Sequence, residues 1–332
     1  MHVYYLICPN SIGLNYNPGV SLISYGCRYL IKQADPEAVF VPISNISYSA
    51  AEWDLLYKQA DCLVLPGGSL YDPGDVSVYW NSGVWQHIKS AQDNGIPFAD
   101  VFGYTSYPFP KLSVDTVTAL VLKQSRTRRI LAEQARAALF TPRDFLTAHI
   151  AAKAGVSAAV LPCSSFWSPA FFGIKPATRV YNAISVFPIT KDKWFADALM
   201  GIAGELSKEL PTWLICHTAP EYKWLTSFYP DAANIRCIFD PFSLLDFYSK
   251  VDKIVACRLH AAIPAFALGC RLSYISFDSR SFALDQFHVG HILYTDIAGG
   301  QPPDYFYSLS KASLPDPAPF IALFKTEVVS KL

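Results

Sequence analysis

Short apolar runs rich in β-branched and aromatic residues alternate along this chain with longer segments of helical periodicity. This alternation is typical of βαβ units, because each buried parallel strand returns through a helix that covers the sheet. In the first half it predicts strands at residues 3–8, 38–41, 62–65, 98–102, 138–141 and 158–161, with helices at 22–33, 50–59, 84–92 and 145–154. The pattern then begins again, with strands predicted at residues 181–187, 212–216, 235–239, 253–257 and 272–276.

Between the two patterns lies SSFWSPAFFGIKPATR, residues 164–179, which is interrupted by Pro and Gly and keeps no period. Such a composition is typical of a connection between domains. We therefore predict two doubly wound, Rossmann-like α/β domains, residues 1–168 and 169–312. Residues 313–332 carry one more helical pattern with an apolar face, which predicts a helix docked on a neighbouring domain.

The charge balance argues against nucleic acid as a partner. The 332 residues include 27 basic and 27 acidic side chains, whereas nucleic-acid affinity depends on Lys and Arg neutralising several phosphates. No uncharged apolar span approaches about 18 residues, which predicts a soluble, cytoplasmic protein. The eight cysteines are scattered without a CxxC pair, so we predict no disulfide framework and no metal site.

The strongest candidate for chemistry is VDKIVACRLHAAIPAFALGC, residues 251–270. An apolar strand breaks there at Arg258 and His260, and a helix rich in small residues follows. Ligands of open α/β sheets bind outside the carboxyl ends of the strands, where the N-terminus of the next helix attracts anions. If the chain stays extended, the guanidinium and the imidazole project to the same side. We therefore predict an anionic ligand that receives a proton from the imidazole.

Two loops of the first half are candidates for binding a polar ligand. Residues 9–21, PNSIGLNYNPGVS, include Asn15 and match neither GxGxxG nor the phosphate-loop pattern, so an ordinary strand-to-helix connection is an equal alternative. Residues 65–83 place aromatic, carboxylate and amide side chains after a double glycine, a composition suited to sugars. The candidates in that loop are Gly67, Gly68, Tyr71, Asp72 and Asp75, although the two glycines are also compatible with close packing alone.

The turn TPRDF, residues 141–145, lies between a predicted strand and a predicted helix. Asp144 is expected to cap that helix. Arg143 either points across a cleft or forms a surface ion pair, and the spacing does not separate these two alternatives. His217 ends the predicted strand TWLICH and is a further candidate for the same cleft.

Taken together, these motifs resemble those of the polysaccharide pyruvyl transferase family. The segment CRLHAAIPAFALGCRLSYISFDSRSF is similar to the family's strand ending in S-x-R-L-H, its small-residue helix and its G-x-P segment. Weaker similarities are NPGVSLISYG, CLVLPGGSLYDPG and RDFLTAHIAAKAG, in the family's order and spacing. The chain departs from the family pattern at Val20 and Cys163, where Asp is usual, and at Arg280, which takes the place of a lysine.

The resemblance implies a GT-B-like fold with a cleft between an N-terminal, acceptor-binding domain and a C-terminal domain that binds phosphoenolpyruvate. The implied reaction transfers pyruvate, as a ketal, to a sugar of a surface or secreted polysaccharide precursor, without a cofactor. His260, as proton donor, and Arg258 are the implied catalytic residues. The implied donor-binding residues are Arg143, Arg258, His217 and Arg280. The implied residues that bind the sugar or lipid-linked oligosaccharide acceptor are Asn15, Gly67, Gly68, Tyr71, Asp72 and Asp75.

Peripheral association with membrane-bound glycan assembly and a homo-oligomeric state are both compatible with this function. Two other functions stay open for the same fold. One is a nucleotide-sugar glycosyltransferase, since a cleft with Arg and His also suits a diphosphate. The other is a non-catalytic glycan-binding protein.

Overall fold

A computed structural model describes residues 1–7, 17–43, 50–71, 84–107, 113–309 and 314–332. Its strands form two sheets, one from each half of the chain, and every strand pair among the described residues is parallel. The first sheet contains β1 (His2–Ile7), β2 (Ala38–Ile43), β3 (Cys62–Pro66), β4 (Ser69–Tyr71), β5 (Phe98–Thr105) and β6 (Leu139–Pro142). The second contains β7 (Tyr181–Ser185), β8 (Thr212–Cys216), β9 (Ile235–Cys237), β10 (Val251–Ala256), β11 (Arg271–Ser276) and β12 (His291–Leu293). The predicted pair of doubly wound α/β units is confirmed.

Helices alternate with these strands, and none among the described residues is long and apolar enough to cross a membrane. They are α1 (Pro18–Ala34), α2 (Ala50–Tyr57), α3 (Val84–Asp93), α4 (Val114–Lys123), α5 (Ser125–Ala135), α6 (Phe145–Lys153), α7 (Ser168–Phe171), α8 (Lys193–Leu206), α9 (Ala219–Phe228), α10 (Pro241–Ser249), α11 (Leu259–Ala267) and α12 (Ala318–Glu327). Short 3-10 helices span Ser164–Trp167, Ser279–Phe287, Tyr294–Ile297 and Val329–Lys331.

The strand predicted at residues 158–161 is wrong. This stretch is an irregular connection, in which the N–H of Leu161 donates to the carbonyl of Pro142. Leu161 is buried in the core, so the apolar run reflects the packing of a connection and not strand pairing.

Each of the two sheets reverses its strand order once. The first sheet runs β2-β1-β3-β5-β6, with β4 beside the far end of β5, and the second runs β12-β11-β10-β7-β8-β9. The reversals lie between β1 and β3 and between β7 and β10. Ligands of open α/β sheets bind at such reversals, outside the carboxyl ends of the strands.

The segment between the two sheets is packed against both halves. The hydroxyl of Ser164 donates to the carbonyl of Ile23 in α1 at 2.8 Å. The ring of Phe166 lies 4.6 Å from that of Phe287 in the second half. The predicted domain boundary at residues 168/169 falls in this segment and stays a prediction.

The C-terminal helix α12 packs on the first half, although it follows the second sheet in the chain. Phe324 is fully buried and its ring centroid lies 5.8 Å from that of Tyr4 on β1. Phe320 stacks on Phe102 of β5 at 5.0 Å. The helix therefore covers strands of the first sheet with its aromatic face.

A buried polar chain runs through the first half. Asp100 on β5 is fully buried, and its Oδ2 accepts a hydrogen bond from Nε2 of Gln134 at 2.8 Å. The hydroxyl of Tyr71 donates to Oε1 of the same glutamine. Tyr71 is itself fully buried, and its hydroxyl faces the core, so the side chain is not exposed to a ligand in this state. Its contact with a sugar stays a prediction. Burial raises the pKa of Asp100 to about 7, and the bond from Gln134 offsets part of that rise.

This raised pKa predicts a pH-dependent stability. In the unfolded chain an aspartate has a pKa of about 3.9, so the unfolded state loses its proton first and the folded state loses stability as pH rises from about 4 through about 7. We expect Asp100→Asn to be close to the wild type in free energy of unfolding at pH 4, and more stable by roughly 2–4 kcal/mol at pH 8.5. Urea unfolding at both pH values measures this difference. An equal effect at the two pH values would contradict the prediction.

Candidate functional site

Side chains from the carboxyl ends of both sheets meet at one place. Arg143 follows β6 of the first sheet, whereas Arg258 and His260 follow β10 of the second. Nη1 of Arg143 lies 3.0 Å from Nε2 of His260 across this junction. Close by, Ser279 of the second half donates its N–H to the carbonyl of Tyr107, just after β5, at 3.0 Å. The site is thus formed by both halves of the chain.

Arg143 is fully buried, which rules out the surface ion pair that the sequence left open. Its N–H donates to the carbonyl of Gly103 at 2.9 Å, and its guanidinium carbon lies 3.8 Å from the ring centroid of Tyr104. Nε and Nη2 of Arg143 are buried and find no hydrogen-bond acceptor in the part of the chain that the structure describes. A buried guanidinium with a free N–H edge is costly unless an anion completes it.

The backbone that holds Tyr104 under Arg143 is strained. Phe102 has a φ of 62°, which is rare for a bulky residue, and the pairing of β5 with β6 shifts register between Val101 and Gly103. Such an irregularity changes the direction of the side chains that follow it. Here it lies just before Gly103 and Tyr104, the two residues that contact Arg143.

Asp144 caps α6, as predicted. Its Oδ1 accepts hydrogen bonds from the N–H and the hydroxyl of Thr147, each at 2.8 Å. Burial raises the pKa of Asp144 to about 6, and the bonds from Thr147 and the charge of Arg143 lower it in part. At neutral pH its carboxylate therefore offsets some of the positive charge of Arg143.

Arg258 and His260 do not share one extended segment, so that part of the prediction is wrong. Arg258 is the extended residue before α11, with φ −118° and ψ 129°, whereas His260 is already the second residue of the helix. Because the backbone turns between them, Arg258 contacts Glu221 and His260 contacts Arg143. Gly19 at the start of α1 packs on His260: a Cβ at Gly19 would lie 2.7 Å from Cβ of His260.

The contact with Arg143 determines the protonation of His260. A guanidinium donates hydrogen bonds and cannot accept them, so Nε2 of His260 is the acceptor and carries no proton. Burial lowers the pKa of His260 well below its usual value, and the charges of Arg143, Arg280 and Arg258 lower it further. The nearby helix N-terminus acts in the same direction. The imidazole is therefore neutral at pH 7 in this state.

Arg258 is held by Glu221, a residue that the sequence analysis missed. Nε and Nη2 of Arg258 both donate to Oε1 of Glu221, and its guanidinium carbon lies 4.6 Å from the ring centroid of Phe187. Burial and the charge of Arg280 lower the pKa of Arg258 to about 9, which leaves it protonated at neutral pH. The capping-box pattern T-x-x-E at Thr218–Glu221 is the sequence signal that could have drawn attention to this carboxylate.

Arg280 belongs to the same positive cluster. Its Nε donates to Oδ2 of Asp278 at 2.7 Å, and its guanidinium carbon lies 5.0 Å from the ring centroid of Phe277. Burial alone would lower the pKa of Arg280, but Asp278 raises it above its usual value. Arg280 therefore stays charged at neutral pH.

His217 is fully buried at the end of β8. Its Nε2 lies 2.9 Å from the hydroxyl of Tyr248, and its Nδ1 is without a hydrogen-bond partner in the described residues. Burial, followed by the charge of Arg258, lowers the pKa of His217 well below its usual value. It is therefore a second neutral imidazole behind Arg258.

The structure describes only some of the residues predicted to bind the acceptor. Asn15, Asp72 and Asp75 lie outside the described residues. Gly67 has a φ of 81°, and a Cβ there would lie 3.0 Å from Cγ2 of Ile23, so this position requires glycine for backbone conformation and close packing. The carbonyl of Gly68 accepts from the N–H of Tyr104 at 2.9 Å. Their contact with a ligand stays a prediction.

The charges of the cluster favour an anion. Of its three guanidiniums, those of Arg258 and Arg280 are paired with the carboxylates of Glu221 and Asp278. Arg143 has no such ion pair among the described residues, and the nearby carboxylate of Asp144 offsets only part of its charge. Both imidazoles are neutral. Among the residues that the structure describes, no group of His, Cys, Asp and Glu could hold a metal ion. The arrangement suits an anionic ligand with at least two acceptor oxygens.

Comparisons with known proteins agree with this architecture. A profile of the family described as polysaccharide pyruvyl transferase matches residues 17–279, whereas no curated protein matches significantly. The UDP-GlcNAc 2-epimerase from Methanocaldococcus jannaschii superposes with a TM-score of 0.57 and 9% identity, over 98% of this chain and 100% of that one. S. aureus MnaA, in a co-structure with UDP, gives 0.55 and 10% over 90% and 87% of the two chains. At these identities the similarity shows a shared GT-B-like fold of two Rossmann-like domains.

The free edge of Arg143 predicts that a simple anion stabilises the protein. If inorganic phosphate binds with a dissociation constant of about 1 mM, then 50 mM phosphate should raise the free energy of unfolding by about 2 kcal/mol over sodium chloride of equal ionic strength. Arg143→Gln should lose most of this gain. Arg236→Gln is the matched control, because Arg236 lies over Trp213 near the amino end of β8, whereas the positive cluster lies at the carboxyl ends of the strands. An equal gain in wild type and Arg143→Gln, measured by urea unfolding, would contradict the prediction.

Proposed function

The chain belongs to the polysaccharide pyruvyl transferase family, and on that basis we propose that it transfers pyruvate from phosphoenolpyruvate to a sugar as a ketal. The acceptor would be a sugar or lipid-linked oligosaccharide, the precursor of a surface or secreted polysaccharide. The observation that carries this proposal is the free Nε and Nη2 edge of buried Arg143, whose third nitrogen, Nη1, lies beside Nε2 of His260.

The negative charges of phosphoenolpyruvate complement the positive charges of the cluster. Phosphoenolpyruvate carries a carboxylate and a phosphate on one small carbon skeleton. The free edge of Arg143 offers two parallel N–H donors, the geometry that a carboxylate or phosphate accepts in bidentate fashion. Arg258 and Arg280 supply positive charge for the other anionic group. Because the reaction transfers no electrons to an external carrier, it requires no redox cofactor.

The proposed chemistry begins with a proton. Imidazolium His260 gives its proton to the methylene carbon, the carbon–carbon double bond supplies the electron pair for the new C–H bond, and the adjacent carbon becomes electrophilic. A sugar hydroxyl adds to that carbon and loses its proton. The bond to phosphate then breaks with its electron pair, and a second hydroxyl adds, loses its proton and closes the ketal. Asp72 or Asp75 as bases for these protons stay predictions, since both lie outside the described residues.

Because His260 is neutral in the ligand-free enzyme, the proton that it gives to the methylene carbon must arrive with phosphoenolpyruvate. In the absence of a ligand, Nε2 accepts from Arg143 and has no proton to give. An anion on the free edge of Arg143 would offset the charge of the guanidinium and raise the pKa of the imidazole. Protonation of Nε2 would then break its contact with Nη1 of Arg143. The proton can come from the phosphate of the donor itself, whose second pKa is about 6.

The direct test is an incubation with phosphoenolpyruvate and a panel of glycans, including lipid-linked ones. We expect phosphate release together with a pyruvate-sized mass gain on an acceptor, and we expect His260→Gln to lose at least 100-fold in kcat, since general acid catalysis contributes about 10² to 10⁴-fold. Release of a nucleotide from a nucleotide sugar would instead indicate a glycosyltransferase. Glycan binding without either release would indicate a non-catalytic protein. Full turnover by folded His260→Gln would contradict the role of His260.

The neutral resting imidazole also predicts a pH profile. The pKa of His260 is lowered in the free enzyme, so the imidazole must take up one proton when phosphoenolpyruvate binds. The fraction of phosphoenolpyruvate that carries this proton on its phosphate falls as pH rises. We expect kcat/KM for phosphoenolpyruvate to fall about tenfold per pH unit above the phosphate pKa of about 6. Initial rates between pH 6 and 9 measure this slope. A profile that stays flat across this range would contradict proton uptake with the donor.

A further inference from the structure

Glu221 is a buried carboxylate that the proposed chemistry does not use. It lies in the first turn of α9 with 2% of its surface exposed. Its Oε2 accepts from the backbone N–H of His217 at 2.7 Å and from that of Thr218 at 3.0 Å. The two N–H groups belong to the end of β8 and the start of α9, so this oxygen is fixed by rigid elements of the second sheet.

The other oxygen of Glu221 faces the site. Oε1 accepts from Nε and Nη2 of Arg258. The carboxylate of Glu221 therefore links the backbone N–H groups of His217 and Thr218 to the guanidinium of Arg258. The ring of Phe187 lies under the same guanidinium at 4.6 Å and limits its movement from one side. These contacts occupy the Nε and Nη2 edge and one face of the Arg258 guanidinium and do not involve its Nη1 end.

The guanidiniums of Arg143 and Arg258 therefore differ in which of their N–H groups are available to a ligand. Arg143 has its Nε and Nη2 edge free, whereas on Arg258 the equivalent edge is taken by Glu221. We infer that Glu221 is a positioning residue, which holds Arg258 so that only its outer end meets the donor. The identity of that donor rests on the proposed function, but the orientation of Arg258 does not.

Replacement of Glu221 by Gln separates positioning from helix capping. The carboxamide oxygen can still accept from the N–H groups of His217 and Thr218, since Gln serves at this position of a capping box. Its NH2 group, however, would face the donors of Arg258 and could not hold them. The variant also leaves one more positive charge in the site, which maintains the attraction for an anionic donor.

We expect Glu221→Gln to lower kcat on the order of 10- to 100-fold, because misplacement of a group that orients the substrate costs about that much. KM for phosphoenolpyruvate should change less than threefold. The matched control is Thr218→Ala, which weakens the same capping box but leaves Glu221 and Arg258 paired. It should lower Tm by roughly 2–4 °C with kcat within twofold of the wild type.

A double variant tests whether Glu221 acts through Arg258. Glu221→Gln with Arg258→Gln should be no slower than Arg258→Gln alone, because the residue that Glu221 positions is already gone. The double variant also leaves no unpaired guanidinium at this position, so it keeps the test available if Glu221→Gln alone fails to fold. A double variant more than tenfold slower than Arg258→Gln would overturn the inference.

One measurement is independent of activity. In arginine-labelled protein, the Nε–H signal of Arg258, assigned with Arg258→Gln, should be protected from solvent exchange in the wild type and in Thr218→Ala, and lost in Glu221→Gln. If the signal behaves so but the wild type releases no phosphate from phosphoenolpyruvate, the positioning role stands and the proposed function fails. Unchanged protection in Glu221→Gln would overturn the positioning role, whatever the wild type does with phosphoenolpyruvate.

Discussion

The site depends on one buried guanidinium that the protein leaves incomplete. Arg143 is fully enclosed, yet two of its nitrogens find no acceptor among the described residues. A stack on Tyr104 and a hydrogen bond to His260 compensate only part of its desolvation. The protein thus maintains positive charge where an anion can neutralise it. The contact between Nη1 of Arg143 and Nε2 of His260 also holds the imidazole neutral in the ligand-free state.

The fold explains why this contact forms between residues 143 and 260. Both follow parallel strands whose carboxyl ends meet, one from each sheet, and α1 brings Gly19 against His260 because no side chain separates them. The residue at position 163 also leaves the charge of Arg143 without a neutralising partner. Cys163 places its Sγ 3.8 Å from Nη1 of Arg143, where a carboxylate would pair with the guanidinium and a thiol does not neutralise it.

The sequence predicted the two α/β units and the residues of the positive cluster better than it predicted their geometry. Strand periodicity identifies the elements, and polar residues after strands meet at one edge of a parallel sheet. The backbone direction at His260 was wrong because helix α11 begins one residue earlier. The burial of Tyr71 was not predicted because an aromatic in a polar segment gives no sign of a contact with Gln134. Glu221 was missed because its partner Arg258 lies 37 residues away in the chain.

The most direct test of this account is the protonation state of His260 with and without an anion in the site. Nitrogen NMR of histidine-labelled protein at pH 7, assigned with His260→Gln, distinguishes a neutral ring from an imidazolium. Phospholactate, which lacks the double bond of phosphoenolpyruvate, serves as the unreactive ligand. We predict a neutral ring with its proton on Nδ1 in the free protein and an imidazolium in the complex. An imidazolium in the free protein, or a neutral ring in the saturated complex, would contradict the account.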